Sequence, residues 1–229
     1  MTGWNASDQP VGAPLEVTLP RPAPPRRPMA GRYCRLEPCD PAAHAGALHA
    51  AFAPDTGGRG WTYLPYGPFA DAHGLRLWMD TACTGEDPQF FTIFDADGPA
   101  GLASFLRIAP ELGTIEVGHI HLSPRLAGTR AATEAMYLMA RHVFDELGYR
   151  RYEWKCDALN AASRRAAERL GFRYEGTFRK ATHYKGRNRD TAWFAMINDD
   201  WPARRGALEA WLDPSNFDAE GQQRASLAR

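Results

Sequence analysis

Apolar positions recur along this chain in two rhythms. From 131 to 148 the period is helical: Ala132, Met136, Met139, Ala140, Val143 and Leu147 share one face, and Gly148 stands where the helix should stop. Shorter runs bounded by turn residues read as strands. Residues 89–94 and 100–108 flank Asp95-Ala96-Asp97-Gly98, a hairpin turn. Residues 114–122 and 149–156 are two further strands. Residues 172–184 and 191–198 form a second hairpin, joined by Lys185-Gly186-Arg187-Asn188-Arg189. A first strand is expected over 31–38. Asp40, followed by Pro41, caps a helix that runs through Phe52. Further helices are expected over 70–82, over 160–170 with Gly171 closing it, and around 204–212. The order is β, α, α, β, β, β, α, β, α, β, β. Antiparallel strands that feed one parallel crossover predict an α/β fold with a central mixed, mostly antiparallel sheet and helices on both faces.

The two ends read differently. Residues 1–29 are rich in Pro and Gly and close on Arg21-Pro22-Ala23-Pro24-Pro25-Arg26-Arg27-Pro28. Such a segment packs no core and reads as an extended arm, docked loosely or on a partner subunit. The domain proper is expected over 30–201, with a C-terminal extension over 202–229. Hydrophobic content of 44% and charged content of 24% are ordinary for a soluble domain. Formal net charge is zero, so no global field steers the chain to nucleic acid or to a membrane surface. No apolar run approaches the ~20 residues that span a bilayer, and no signal peptide is legible, so a cytoplasmic location is expected. Cys34, Cys39, Cys83 and Cys156 form no CxxC pair and lie at no zinc-finger spacing from a His. Packed reduced thiols and no metal are the expectation.

The candidate chemistry starts where the strand ending at Leu122-Ser123-Pro124 gives way to the long helix. The first amides of a helix have no partner inside it, so an N-terminus there is open to an anion such as a phosphate. The loop between reads Arg125-Leu126-Ala127-Gly128-Thr129-Arg130, and the helix opens on Ala131-Ala132. Downstream, Asn160-Ala161-Ala162-Ser163 precedes Leu170-Gly171-Phe172, and Asn160 also suits a helix cap. On the strand at 114–122, alternation puts Glu116, Gly118, Ile120 and Leu122 on one face and Val117, His119 and His121 on the other, a phase that a bulge would alter.

This order and these motifs resemble the GNAT superfamily of acetyl-CoA-dependent N-acetyltransferases, and most of all the branch that acetylates ribosomal-protein N-termini. The resemblance spans roughly 32–201. In that family a Gln/Arg-x-x-Gly-x-Gly/Ala loop wraps the pyrophosphate of the cofactor. Aligned on the helix opening, the six positions are Ala127, Gly128, Thr129, Arg130, Ala131 and Ala132; a second register starts at Arg125 and keeps the Arg and a Gly. The resemblance implies acetyl-CoA as co-substrate, with Leu122, Ser123, the loop 127–132, Asn160 and Ser163 around it. It implies oxyanion donors from the backbone near 121–123 and Glu116 as general base, with His119 or His121 competing. The Tyr that many members use to protonate the leaving thiolate is Ala167 here, so Ser163 is the expected donor to sulfur. Trp61, Tyr63, Tyr66, His119 and His183 are expected around the acceptor, a small or peptide amine. A homodimer is compatible with the arm and the aromatic loop 60–69. Nucleic acid and membrane are not expected partners. A non-catalytic acyl-CoA-binding module is the alternative reading.

Overall fold

A computed structural model describes residues 3–227. After two short arm strands, β1 (Gly3–Trp4) and β2 (Pro10–Val11), the strands β3 to β10 form one eight-stranded sheet. They are β3 (Met29–Ala30), β4 (Arg35–Pro38), β5 (Gln89–Asp95), β6 (Gly98–Ala109), β7 (Thr114–Leu122), β8 (Arg151–Asp157), β9 (Arg173–Tyr184) and β10 (Arg187–Ile197). Their order is β3-β4-β5-β6-β7-β8-β10-β9. Every pairing is antiparallel except β7 with β8. The helices are α1 (Pro41–Phe52), α2 (Ala72–Ala82), α3 (Arg130–Arg141), α4 (Ala161–Leu170) and α5 (Trp201–Leu212). From β4 onward the element order is the one that hydrophobic periodicity predicts; β1, β2 and β3 lie in the segment read as an extended arm, where no strand is expected, and β3 joins the main sheet.

Local chemistry explains the boundaries. Asp40 caps α1, its carboxylate accepting from the amides of Ala42 and Ala43, with Pro41 at the first helical position. Thr129 caps α3 through the Ala132 amide, and Asn160 caps α4 through that of Ser163. Past Arg141 the α3 ladder widens into a π turn, His142–Glu146, before Gly148 reverses the chain. The expected five-residue link in the last hairpin is shorter. Lys185 and Gly186 both take positive φ, 49° and 72°, as a two-residue primed turn requires, and residues 187–190 join β10. That difference moves Arg189 from a loop onto a strand.

Two cores flank the sheet. One face carries Ile93, Phe105, Ile115, Val117, Tyr152 and Trp154 against α3, α4 and α5. The other packs Phe90 and Leu102 against Leu48, Trp61, Leu75 and Met79 of the α1–α2 layer. The N-terminal arm lies on its own domain: Arg21 Nε donates to the Leu147 carbonyl (2.9 Å), and the Gln89 side-chain amide donates to the Pro24 carbonyl (2.9 Å). All four cysteines are buried free thiols. Among the described residues no helix is long and apolar enough to cross a membrane, and no group of three or more His, Cys, Asp or Glu is placed to hold a metal ion.

Candidate active site

The parallel pair β7–β8 is in register from Thr114 opposite Arg151 to Val117 opposite Trp154, and there the pairing ends. Beyond it the strands part. The gap opens into a cleft of about 480 Å³ whose walls include Glu116, His119, Trp154, Cys156, Asn160, Ser163, Tyr184 and Arg189. The alternation predicted for β7 fails inside this stretch. Pairing with β6 jumps from Gly118 opposite Ser104 to His121 opposite Leu102, so His119 and Ile120 together face one residue, Ala103. His119 takes φ 51° to make this bulge. The extra residue resets the phase, so His121 returns to the face of Glu116 and Gly118, where Trp61 and Phe52 meet it.

Around the phosphate loop the backbone carries the geometry. Of the expected cofactor residues, Thr129 spends its hydroxyl on the Ala132 amide and on the Leu126 carbonyl. Gly128 takes φ 78°, and a Cβ there would meet nothing within 4 Å. The register beginning at Arg125 sets the motif's first glycine on this position. Among the described residues the amides of Gly128, Arg130 and Ala131 find no acceptor, as expected of a helix opening. Two arginines of the loop are held elsewhere. Arg125 pairs with Asp95 (2.8 Å), and Arg130 lies over the rings of Tyr33 and Phe217 at 4.6 and 5.1 Å. Of the expected oxyanion donors, Ser123 is committed, because its amide donates to the Ala100 carbonyl (2.9 Å). With that bond fixed, antiparallel alternation turns the Leu122 amide away from β6, toward the gap.

Ser163 sits in the first turn of α4. Its Oγ accepts from the indole nitrogen of Trp154 (2.9 Å), which leaves its own proton free to donate, and the sulfur of Cys156 is its neighbour. Burial pushes the Cys156 thiol up, so it stays protonated and is a poor nucleophile. Tyr184 is no substitute acid. Burial and its hydrogen bond to Asp157 (2.6 Å) raise it, and its proton points at that carboxylate.

Glu116 is buried on the opposite face of the sheet. Its Oε2 accepts from Arg107 (2.6 Å) and pairs with Lys155 Nζ (2.8 Å). Lys155 also pairs with Glu153 (2.7 Å) and lies 3.8 Å from the Trp193 ring centroid. Arg107 reaches Glu116 from a second bulge, with φ 47°, where Asp87 accepts from the amides of Arg107 and Ile108. The histidines differ from ordinary ones. Burial, and then the charges of Arg107 and Arg189, push His119 down to about 4; burial alone outweighs all else at His121, also about 4. His119 Nδ1 lies 3.1 Å from the Tyr66 hydroxyl.

The expected acceptor residues divide. Tyr63 and His183 line the cleft. Trp61 and Tyr66 stand behind it in the apolar layer, where Trp61 stacks against His121 at 3.6 Å and Tyr66 backs His119. Sequence reasoning missed Arg107, Trp154, Lys155, Arg189 and Trp193. The only advance signal for the β8 pair was a Trp and a Lys in a short strand.

A parallel pair that parts midway, between a helix opening with free amides and a polar cleft, is the architecture of an acyl-CoA-dependent transferase. A profile of the acetyltransferase (GNAT) domain matches residues 34–173, and the chain belongs to that family. It is 46% identical to a GCN5-related N-acetyltransferase of Brucella melitensis, with a TM-score of 0.90 over 93% of this chain and 97% of that one. A probable GNAT-family acetyltransferase of Chromobacterium violaceum is 38% identical, with a TM-score of 0.78 over 85% and 98%. The ribosomal-protein-serine acetyltransferase of Escherichia coli is 31% identical over 111 residues, 48% of this chain and 62% of that protein. Acetyl transfer is the family's activity, and acetyl-CoA is its co-substrate.

Proposed function

We propose that this protein transfers the acetyl group of acetyl-CoA to a primary amine by direct attack in a ternary complex. The observation that carries the reading is the parting of β7 and β8 past Val117 and Trp154, which joins the α3–α4 face to the cleft on the other face. The cofactor supplies an activated thioester. The amides of Gly128, Arg130 and Ala131, backed by the α3 dipole, suit its diphosphate. Asn160 flanks the pantetheine arm, and the Leu122 amide polarises the carbonyl to be attacked.

Direct attack needs a neutral amine, so a proton must leave it. Glu116 takes that proton, directly or through a water, while Arg107 and Lys155 hold the carboxylate in place. His119 and His121 are engaged with aromatic neighbours, His119 with the Tyr66 hydroxyl and His121 with the Trp61 ring. Ser163 donates its hydroxyl proton to the departing sulfur. No acyl-enzyme is required, and the protonated Cys156 fits that scheme.

The test is calorimetry with CoA, followed by release of free thiol from acetyl-CoA across a panel of amines that includes Ser-initiated peptides. Binding with thiol release that depends on the amine is the expected result. Binding without release for any amine would leave a CoA-binding module; absence of binding would remove the cofactor reading as well.

A further inference from the structure

Among the described residues one arginine of the cleft has no counter-charge. The cleft's other charged side chains are engaged: Glu116 pairs with Arg107 and Lys155, and Lys155 pairs in turn with Glu153, outside the cleft. Asp157 accepts from Tyr184 and from the Leu159 amide. Arg189 also lines the cleft, yet it forms no ion pair and no side-chain hydrogen bond among the described residues. Its Nε is buried with no acceptor. Its nearest aromatic neighbour is the Tyr184 ring, 6.0 Å from Cζ.

A second donor is unanswered on the same wall. Arg189, Thr191 and Trp193 occupy alternate positions of β10, so all three face the cleft, and the indole Nε1 of Trp193 is likewise buried without an acceptor. Buried N–H groups are rarely left unpaired, because each forfeits its bonds to water. The chain builds this feature deliberately in its local geometry. A primed turn at Lys185-Gly186 extends β10 to include Arg189, and Asp190 locks the bulge opposite it by accepting from the Lys180 amide (2.7 Å). Arg189 is also close enough to the transfer point for its charge to act on both His119 and Cys156.

We propose that Arg189 and Trp193 form an anion subsite for the acceptor, so that the preferred substrate is a small amine that carries a carboxylate. This deepens the transferase reading and rests on it. A planar guanidinium matches a carboxylate with two parallel hydrogen bonds, which an ammonium cannot do. Tyr63, Leu64, Phe178 and the Trp193 ring form an apolar stretch of the wall that suits a hydrophobic side chain beside the amine and that carboxylate. The carboxylate could belong to a free amino acid or to an acidic residue that opens a peptide.

Thiol release should be compared for L-phenylalanine, L-phenylalaninamide and phenethylamine, and for Asp- and Ser-initiated peptide amides. The acid is expected to exceed its amide at least tenfold in kcat/KM. A preference for L-phenylalanine assigns the free amino acid, and a preference for the Asp peptide over the Ser peptide assigns the peptide. Arg189→Gln should bring the acid-to-amide ratio to about one through KM, and Arg189→Lys should restore part of it. A binding readout without turnover accompanies this: calorimetry of N-acetyl-L-phenylalanine against its amide, on wild type and Arg189→Gln. Equal rates and equal binding for acid and amide in the wild type would overturn the subsite. So would a loss of CoA affinity in Arg189→Gln, which would assign the guanidinium to the cofactor's phosphates. If no amine released thiol, the transferase reading would fall, and the product-binding comparison would still decide the subsite.

Discussion

The two faces of the sheet recognise by different means. On the α3–α4 face the diphosphate is offered main-chain amides, and the loop's arginines are occupied in holding Asp95, Tyr33 and Phe217. On the other face the contacts are side chains, interlocked by ion pairs from Arg107 to Glu153 and set by bulges at Arg107 and His119. Main-chain recognition depends on the fold and tolerates drift in sequence. Side-chain recognition depends on a few long-range meetings, and each of them is open to a single substitution.

The largest expected effect breaks the main-chain side through its frame. Glu134 on α3 is buried and accepts from the amides of Arg32, Tyr33 and Cys34 at 2.8, 2.6 and 2.8 Å. Glu134→Leu strands three donors and should cost roughly 3–5 kcal/mol in urea unfolding, since charged hydrogen bonds are among the strongest. CoA affinity should fall with it, because the same helix opens onto the phosphate site. A variant with unchanged stability would show that α3 is anchored by its apolar face alone.

Glu116→Gln probes the other face. If the carboxylate takes the amine's proton, kcat should drop on the order of 10²–10³ while calorimetric CoA affinity holds. Retention of full kcat would take the base role from Glu116. The contrast between these two variants, one losing the cofactor and the other losing only turnover, is the sharpest form of the comparison.

Acid should loosen the acceptor side. His121 is depressed to about 4 in the fold against 6.5 when unfolded. Above pH 6.5 the stability gained by burying it neutral is fully present. As pH falls toward 4 the unfolded chain takes the proton first and that stability is lost, roughly 3 kcal/mol by linkage. Urea unfolding at pH 7.5 and 4.5 should show a smaller acid loss in His121→Phe than in the wild type. Equal losses would place the acid sensitivity elsewhere.

The smallest effect concerns the leaving group. Ser163→Ala should lower kcat about tenfold, the worth of one modest hydrogen bond, with KM for acetyl-CoA little changed. An unaltered kcat would show that solvent protonates the sulfur.

Most of the frame was legible in the sequence. Helical periodicity in α3, the caps at Asp40 and Asn160, and the turn at Asp95-Ala96-Asp97-Gly98 are local signals, and the structure keeps them. The positions of Glu116 and Ser163 were legible as well, because strand and helix fix them. What escaped was phase and partnership. A bulge of one residue at His119 reverses the face of His121; that a bulge would alter the phase was foreseeable, but Ile115-Glu116-Val117-Gly118-His119 does not place it. Lys155 meets Glu116 only because two strands far apart in sequence lie side by side. Arg189 was read as loop because the positive φ of Lys185, a residue with no strong preference for it, sets a turn shorter than composition suggests.

The hairpin β9–β10 closes the sheet at its outer edge and lies almost wholly beyond residue 173, where the family match ends. One wall of the cleft is thus a panel paired to the sheet through β8, seated on the core by Phe194 and Met196, and tied across the cleft by Lys185 on the Trp61 carbonyl. Grafting 174–197 between relatives offers a route to new acceptor preferences that leaves the nucleotide grip of the host intact.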